Sequence, residues 1–171
     1  MKIKDDINHE IEELIDLAKQ LFEDGKYEDA ITKCLSAAEL AERGDLFKEV
    51  MQVRNLLASV YRSNDDVSGM ACEYFNVICI GRVHGLRYSD EYTEALFHYA
   101  VFLTRLQPVP PNLFTTMEEL IEVRGMMVDD ENDSDLQSYR EMLETLRRVY
   151  KRKKRLRKVR GYTYTKILGK V

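Results

Sequence analysis

Hydrophobic positions recur every three or four residues along most of this chain. Over residues 7–24 the set Ile7, Ile11, Leu14, Ile15, Ala18, Leu21 and Phe22 lines one face of an amphipathic helix, and Asp24-Gly25 ends it. A second helix is expected over 27–43, with Ile31, Cys34, Leu35, Ala38 and Ala41 inward, before Gly44-Asp45. A third covers 46–62 and breaks at Ser63-Asn64-Asp65-Asp66. The fourth spans 67–83, with Met70, Tyr74, Val77 and Ile78 on one face, and stops near Gly85. Ser89 then offers an N-cap hydroxyl, and Asp90 and Glu91 offer first-turn acids, for a fifth helix to about residue 107. The prolines at 108, 110 and 111 force a loop, and proline at a first helical position starts a sixth helix that runs through 127. After the polar run 129–133, Ser134 and Gln137 form a capping-box pattern for a seventh helix, expected to run to Arg160 and end at Gly161. Strand-like alternation occurs only at Tyr162-Thr163-Tyr164-Thr165, too short and isolated to pair.

Composition agrees with this pattern. The 171 residues include 8 Gly and 3 Pro, where average usage would give about 12 and 9. A chain so poor in turn formers suits long helices, and its length suits one domain with a real core. The expected fold class is therefore all-α. Short connections make successive helices antiparallel, so the structural unit is a helical hairpin.

These hairpins repeat. Leu17-Ala18-x-x-Leu21 followed by Gly25-x-Tyr27-x-x-Ala30 returns as Leu57-Ala58-x-x-Tyr61 followed by Asp65-x-Val67-x-x-Met70. A weaker third copy opens with Tyr99-Ala100-x-x-Leu103, so Ala18, Ala58 and Ala100 stand 40 and 42 residues apart. Small residues at these points let paired helices approach closely, with Ala30 expected to face Ala18 and Tyr27 to cover the hairpin end. On these residues the chain resembles the tetratricopeptide repeat family. The first hairpin matches in Leu14, Leu17, Ala18, Leu21, Gly25, Tyr27, Ala30 and Ala37. The second matches in Leu57, Ala58, Tyr61 and Tyr74, with Asp65 in place of the turn glycine and Met70 in place of the small residue. The longer period is similar to that of kinesin light chain repeats. The likeness covers residues 7–127 and weakens towards the C-terminus, where the prolines shift the third copy out of register.

The resemblance implies a right-handed superhelix of about three hairpins, whose first helices line a concave groove that binds a peptide or helix of another protein. The long last helix would cap the stack through Leu136, Tyr139, Met142, Leu143 and Leu146. Counted from the small residues, the groove positions are Glu12, Ile15, Lys19, Phe22 and Glu23 on the first hairpin. Gln52, Asn55, Ser59, Arg62 and Ser63 follow on the second, and Glu94, Phe97, Val101, Thr104 and Arg105 on the third. Asn55 is singled out because an amide bonds both N–H and C=O of a peptide backbone. Lys19, Arg62 and Arg105 would add carboxylate contacts, and Phe22 and Phe97 apolar anchors. Ile15 and Phe97 stand where a carboxylate clamp would need polar residues, so that binding mode is not expected.

Catalytic patterns do not emerge. His9, His84 and His98 are scattered, with His98 read as an interior or groove residue. There is no glycine-rich phosphate loop, and 129–133 lacks the glycine and terminal glutamate of a calcium loop. No enzyme activity, metal or cofactor is expected. Cys34, Cys72 and Cys79 lack paired spacing and lie among apolar neighbours, which predicts buried, reduced thiols. No apolar run reaches a membrane span, and the first six residues carry no apolar signal region, so a cytoplasmic location is expected.

Charge changes the picture most. The formal net charge is −4, yet residues 147–171 carry 12 Lys and Arg and no acid, which leaves 14 basic against 30 acidic side chains in 1–146. Two segments follow: a repeat domain with the start of the capping helix, 1–146, and a basic extension, 147–171. Ten of the cations fall within 14 residues: Arg147, Arg148, Lys151, Arg152, Lys153, Lys154, Arg155, Arg157, Lys158 and Arg160. A solvated cap lying against the acidic body, a nucleic acid or ribosome partner, and an anionic membrane surface all fit such a segment. The leading expectation is a protein-interaction module. A nucleic-acid-associated factor acting through 147–160 and a client-specific chaperone are the alternatives.

Overall fold

The computed structural model describes the backbone of residues 2–128, 130 and 133–168, and the side chains of 7–128, 130 and 133–152. Helices make up nearly all of it: α1 (Lys2–Glu23), α2 (Tyr27–Arg43), α3 (Phe47–Ser63), α4 (Val67–Val83), α5 (Asp90–Arg105), α6 (Asn112–Met127) and α7 (Ser134–Leu168). No strand occurs among the described residues, and none of their helices is long and apolar enough to cross a membrane. The chain divides into two units, residues 1–127 and 128–171.

In the first unit α1 pairs with α2, α3 with α4 and α5 with α6, while α2 also packs on α3 and α4 on α5. The first helices touch one another as well, α1 on α3 and α3 on α5; among the described residues α2 and α4 make no such contact. Close first helices and separated second helices place α1, α3 and α5 on the inner side of the stack. This is an all-α helical repeat solenoid of three hairpins.

The cadence comes from the turns. Gly25, Asp45, Asp65 and Gly85 all have positive φ, from 53° to 74°, and stand 20 residues apart. Each is followed by an N–H that bonds back over five residues: Lys26 to the carbonyl of Leu21, Leu46 to Ala41, Asp66 to Tyr61 and Leu86 to Gly81, at 2.8–2.9 Å. These six-to-one bonds close the helix ends as Schellman motifs, whose left-handed residue is preferably glycine. Asp65 thus adopts the glycine conformation that the repeat asks for, at a steric cost glycine does not incur. We expect Asp45→Gly and Asp65→Gly each to stabilise the protein by about 0.5–1 kcal/mol, read as a higher urea midpoint. An unchanged or lower midpoint in both would show that these aspartates are not strained.

Two helix starts differ from expectation. The N-cap of α7 is Asp133, whose Oδ1 accepts from the Leu136 N–H at 2.9 Å; Ser134 is already helical, so it forms no capping box with Gln137. A carboxylate is the stronger partner for a helix N-terminus. All three prolines stay in the loop before α6, where the Pro110 and Pro111 carbonyls accept from Leu113 and Phe114, and the Gln107–Pro108 peptide is cis. The expected cap at Ser89 forms, accepting from the Tyr92 N–H at 3.3 Å. The helix does not end at Gly161 but continues to Leu168, so Tyr162 to Thr165 are helical.

The core follows the small-residue pattern. Ala18, Ala30, Ala58 and Ala100 have no exposure, and Tyr74, Val77, Leu57 and Leu96 are as fully enclosed. Ile15, expected on the groove, is buried in the core that α1 shares with α2 and α3. Of the cysteines only Cys34 is buried, and burial pushes its thiol up to about 12; Cys72 is exposed and Cys79 half-buried. Met70 and Tyr74, two residues away in either direction, face the core, whereas Phe75, one turn on from Cys72, is exposed with it. Arg54 ties three helices together, donating to Glu42 of α2 and to Glu73 of α4, both at 2.7 Å.

Candidate functional site

The inner face of the solenoid carries a polar cluster where α3 meets α5. Asn55, Ser59 and Arg62 are spaced four and three apart and share one side of α3; Glu91, Glu94 and His98 do the same on α5. Asn55 is only 3% exposed. Its Nδ2 donates to the Glu91 carbonyl at 2.9 Å and to Glu94 Oε2 at 3.3 Å. The amide expected to recognise a peptide is therefore committed within the chain as a strut between two hairpins, while its Oδ1 is buried without a hydrogen-bond partner among the described residues.

Tyr74 reaches this cluster from α4. Its ring stacks on His98 with centroids 5.0 Å apart, and its hydroxyl is buried with no hydrogen-bond partner among the described residues. Burial raises its pKa and the nearby Glu94 charge adds to this, while the Arg62 charge pulls the other way. Burial and the nearby Arg62 charge lower that of His98, which keeps the imidazole neutral over a wider pH range. Phe97 meets His98 edge-on at 5.3 Å. Arg62 itself is exposed, though its charge is felt by both His98 and Tyr74 of the cluster.

The remaining expected groove residues spread along the same helices. Lys19 is exposed and pairs with Asp16 at 3.3 Å, an ion pair worth little at such exposure. Phe22 is half-buried, packs against the core and lies 6.1 Å from the Tyr27 ring. Ser59, Phe97 and Val101 are half-buried, and Arg105 is exposed at the end of α5. Thus Asn55, Ser59, Arg62 and Phe97 are brought to the cluster, with Lys19, Phe22, Val101 and Arg105 set apart from it.

A second cluster joins α4, α5 and α6. Tyr92 has no exposure, and its hydroxyl donates to Glu119 Oε1 at 2.7 Å while accepting from Arg82 Nε at 3.2 Å. Arg82 and Arg87 both pair with Glu119, Arg87 at 3.0 Å. Burial alone would raise the Glu119 pKa, but hydrogen bonds from Arg82 and Tyr92, and the two arginine charges, bring it below the usual glutamate range. Burial, with the Glu119 hydrogen bond, pushes Tyr92 up to about 12. The cavity beside this network is wide open and bordered by Glu118 and Glu122, so the arginines are matched by acids. Periodicity does not reveal this network, because its members lie up to 37 residues apart. The available signal was Gly81, a glycine on an otherwise apolar face.

No protein-family model, curated protein or solved structure matches the chain.

The basic segment belongs to α7, a continuous helix of 35 residues, about 52 Å long. Arg147, Arg148, Lys151 and Arg152 are exposed, and Arg148 pairs with Glu144 at 2.6 Å. The side chains of Lys153, Lys154, Arg155, Arg157, Lys158 and Arg160 lie outside the described residues.

Proposed function

We propose that the chain is a tetratricopeptide-like interaction module that binds a segment of another protein along the inner face of α1, α3 and α5. The observation that carries this reading is the direct packing of α3 on α5, which brings polar, charged and aromatic groups of separate hairpins onto one surface. Phe97 and Phe22 supply apolar area, while Lys19, Arg62 and Arg105 supply charge at the open edge. The test is site-specific photo-crosslinking in cells from the full chain. A photoreactive residue at Ser59 or Val101 should capture a partner that Arg62→Glu abolishes, while Ser68 and Leu35 (expected inward but exposed) capture none from the second helices. Equal capture from both faces would sink the proposal.

A second reading, binding of a nucleic acid or other polyanion, is favoured by the continuity of α7, whose unbroken backbone carries the cation-rich stretch 147–160. Replacing Arg147, Arg148, Lys151 and Arg152 by Gln in the full chain should then weaken retention on single-stranded RNA. The slope of its salt dependence should flatten by up to about 0.7 for each phosphate left unneutralised. Salt-insensitive retention would exclude this reading.

A further inference from the structure

Near the N-terminal end of α5 the inner face holds acceptors in excess of donors. Asn55 Oδ1 and Glu91 Oε2 are both buried and without a hydrogen-bond partner among the described residues, although a buried acceptor left unpaired is costly. The two residues are joined through the main chain, since Asn55 Nδ2 donates to the Glu91 backbone carbonyl. Glu94 accepts from the same amide and is exposed, so a carboxylate stands between Asn55 and solvent at the groove surface. The nearby cations do not satisfy the set. Lys48 stands 3.9 Å from Glu91 Oε1 with its own side chain 64% exposed, and Arg62 sits two turns along α3 from Asn55. We infer that Asn55, Glu91 and Glu94 form a subsite for a lysine or arginine side chain of the bound segment, whose nitrogen supplies the missing donors.

This rests on the groove reading and specifies the chemistry of its ligand. Charge supports it: residues 1–146 hold 30 acidic against 14 basic side chains, so the surroundings attract a cation. So does the pKa of Glu94, which burial and then the Glu91 charge raise, with Asn55 and Arg62 opposing. A second carboxylate so close is relieved by an incoming positive group.

The probe is Nα-acetyl-argininamide, titrated into the ¹⁵N-labelled full chain, with the uncharged citrulline analogue as its isosteric control. The arginine compound should shift the Asn55 side-chain amide and the backbone amides of residues 91–94, with an affinity at least about fivefold above that of the citrulline compound. Glu94→Gln and Glu91→Gln should each weaken it by a similar factor, and Arg62→Gln should leave it equal or tighter. Equal shifts from both compounds, or wild-type affinity in both Gln variants, would overturn the subsite. That failure is separable from failure of the groove: crosslinks from Ser59 and Val101 without an Asn55 response retain the groove and reject the subsite. An arginine response without crosslinks does the reverse.

Discussion

Gly81→Ala is expected to lower the melting temperature by about 6–10 °C, a loss of roughly 2–3 kcal/mol for a chain of this size. Helix propensity alone predicts the opposite, because alanine in a helix interior is favoured over glycine by about 1 kcal/mol. The reversal comes from Tyr92. A Cβ on Gly81 would fall 2.8 Å from Tyr92 Cε2 and closer still to Cδ2, with Met51 Cε also near at 3.4 Å. The ring cannot retreat, since it has no exposure and its hydroxyl is held by Glu119 and Arg82. One repeat earlier the equivalent positions are Ala41 and Val50, both fully buried; a bulkier side chain on α5 has required the smaller one on α4. Tyr92→Leu should therefore suppress part of the defect, so that the double variant costs less than the sum of the singles. Thermal and urea unfolding of the three proteins decide the point, and a neutral Gly81→Ala would refute it.

Glu119→Gln should cost about 1–3 kcal/mol at neutral pH, because it removes the one anion shared by two guanidinium groups and a buried phenol. The two arginines are partly exposed, which keeps the figure below that of a fully enclosed ion pair. The pH dependence carries its own sign. The folded pKa of Glu119 is depressed, so its contribution is complete above the ordinary glutamate range and fades as pH falls through the lower folded value. Stability curves of wild type and Glu119→Gln should be well separated near neutral pH and converge in the acid limb. Parallel curves throughout the acid range would show that the carboxylate is not tuned by its partners.

Local rules make much of this molecule legible. The bounds of α2 and α4 follow from their apolar spacing and flanking turns, because each helix is bracketed by a left-handed residue that sequence marks with Gly or Asp. The alanines at helix crossings are readable for the same reason: closeness of two helices demands a small side chain at a fixed register. Pairings across hairpins are not readable. Asn55 is visible as an inner-face amide, yet whether it meets a ligand or Glu91 depends on how α5 docks, and the extra residues before α5 set that. Ile15 and Cys72 illustrate the complementary limit. Periodicity says which side of a helix a residue occupies only to within a fraction of a turn, and those two fall at the edges of their stripes.

The turns at 25, 45, 65 and 85 have a further consequence. Leu46 and Leu86 each follow a left-handed residue and close the same six-to-one bond, so the block 47–86 between them is commensurate with its own junctions. A chain lengthened by whole copies of it would stay in phase, gaining one inner helix at a time, whereas an insertion of any other length would rotate everything downstream. Residues 87–89 are such a phase slip. They carry Arg87, whose guanidinium reaches Glu119 of α6, so the residues that interrupt the series also lock its last member in place.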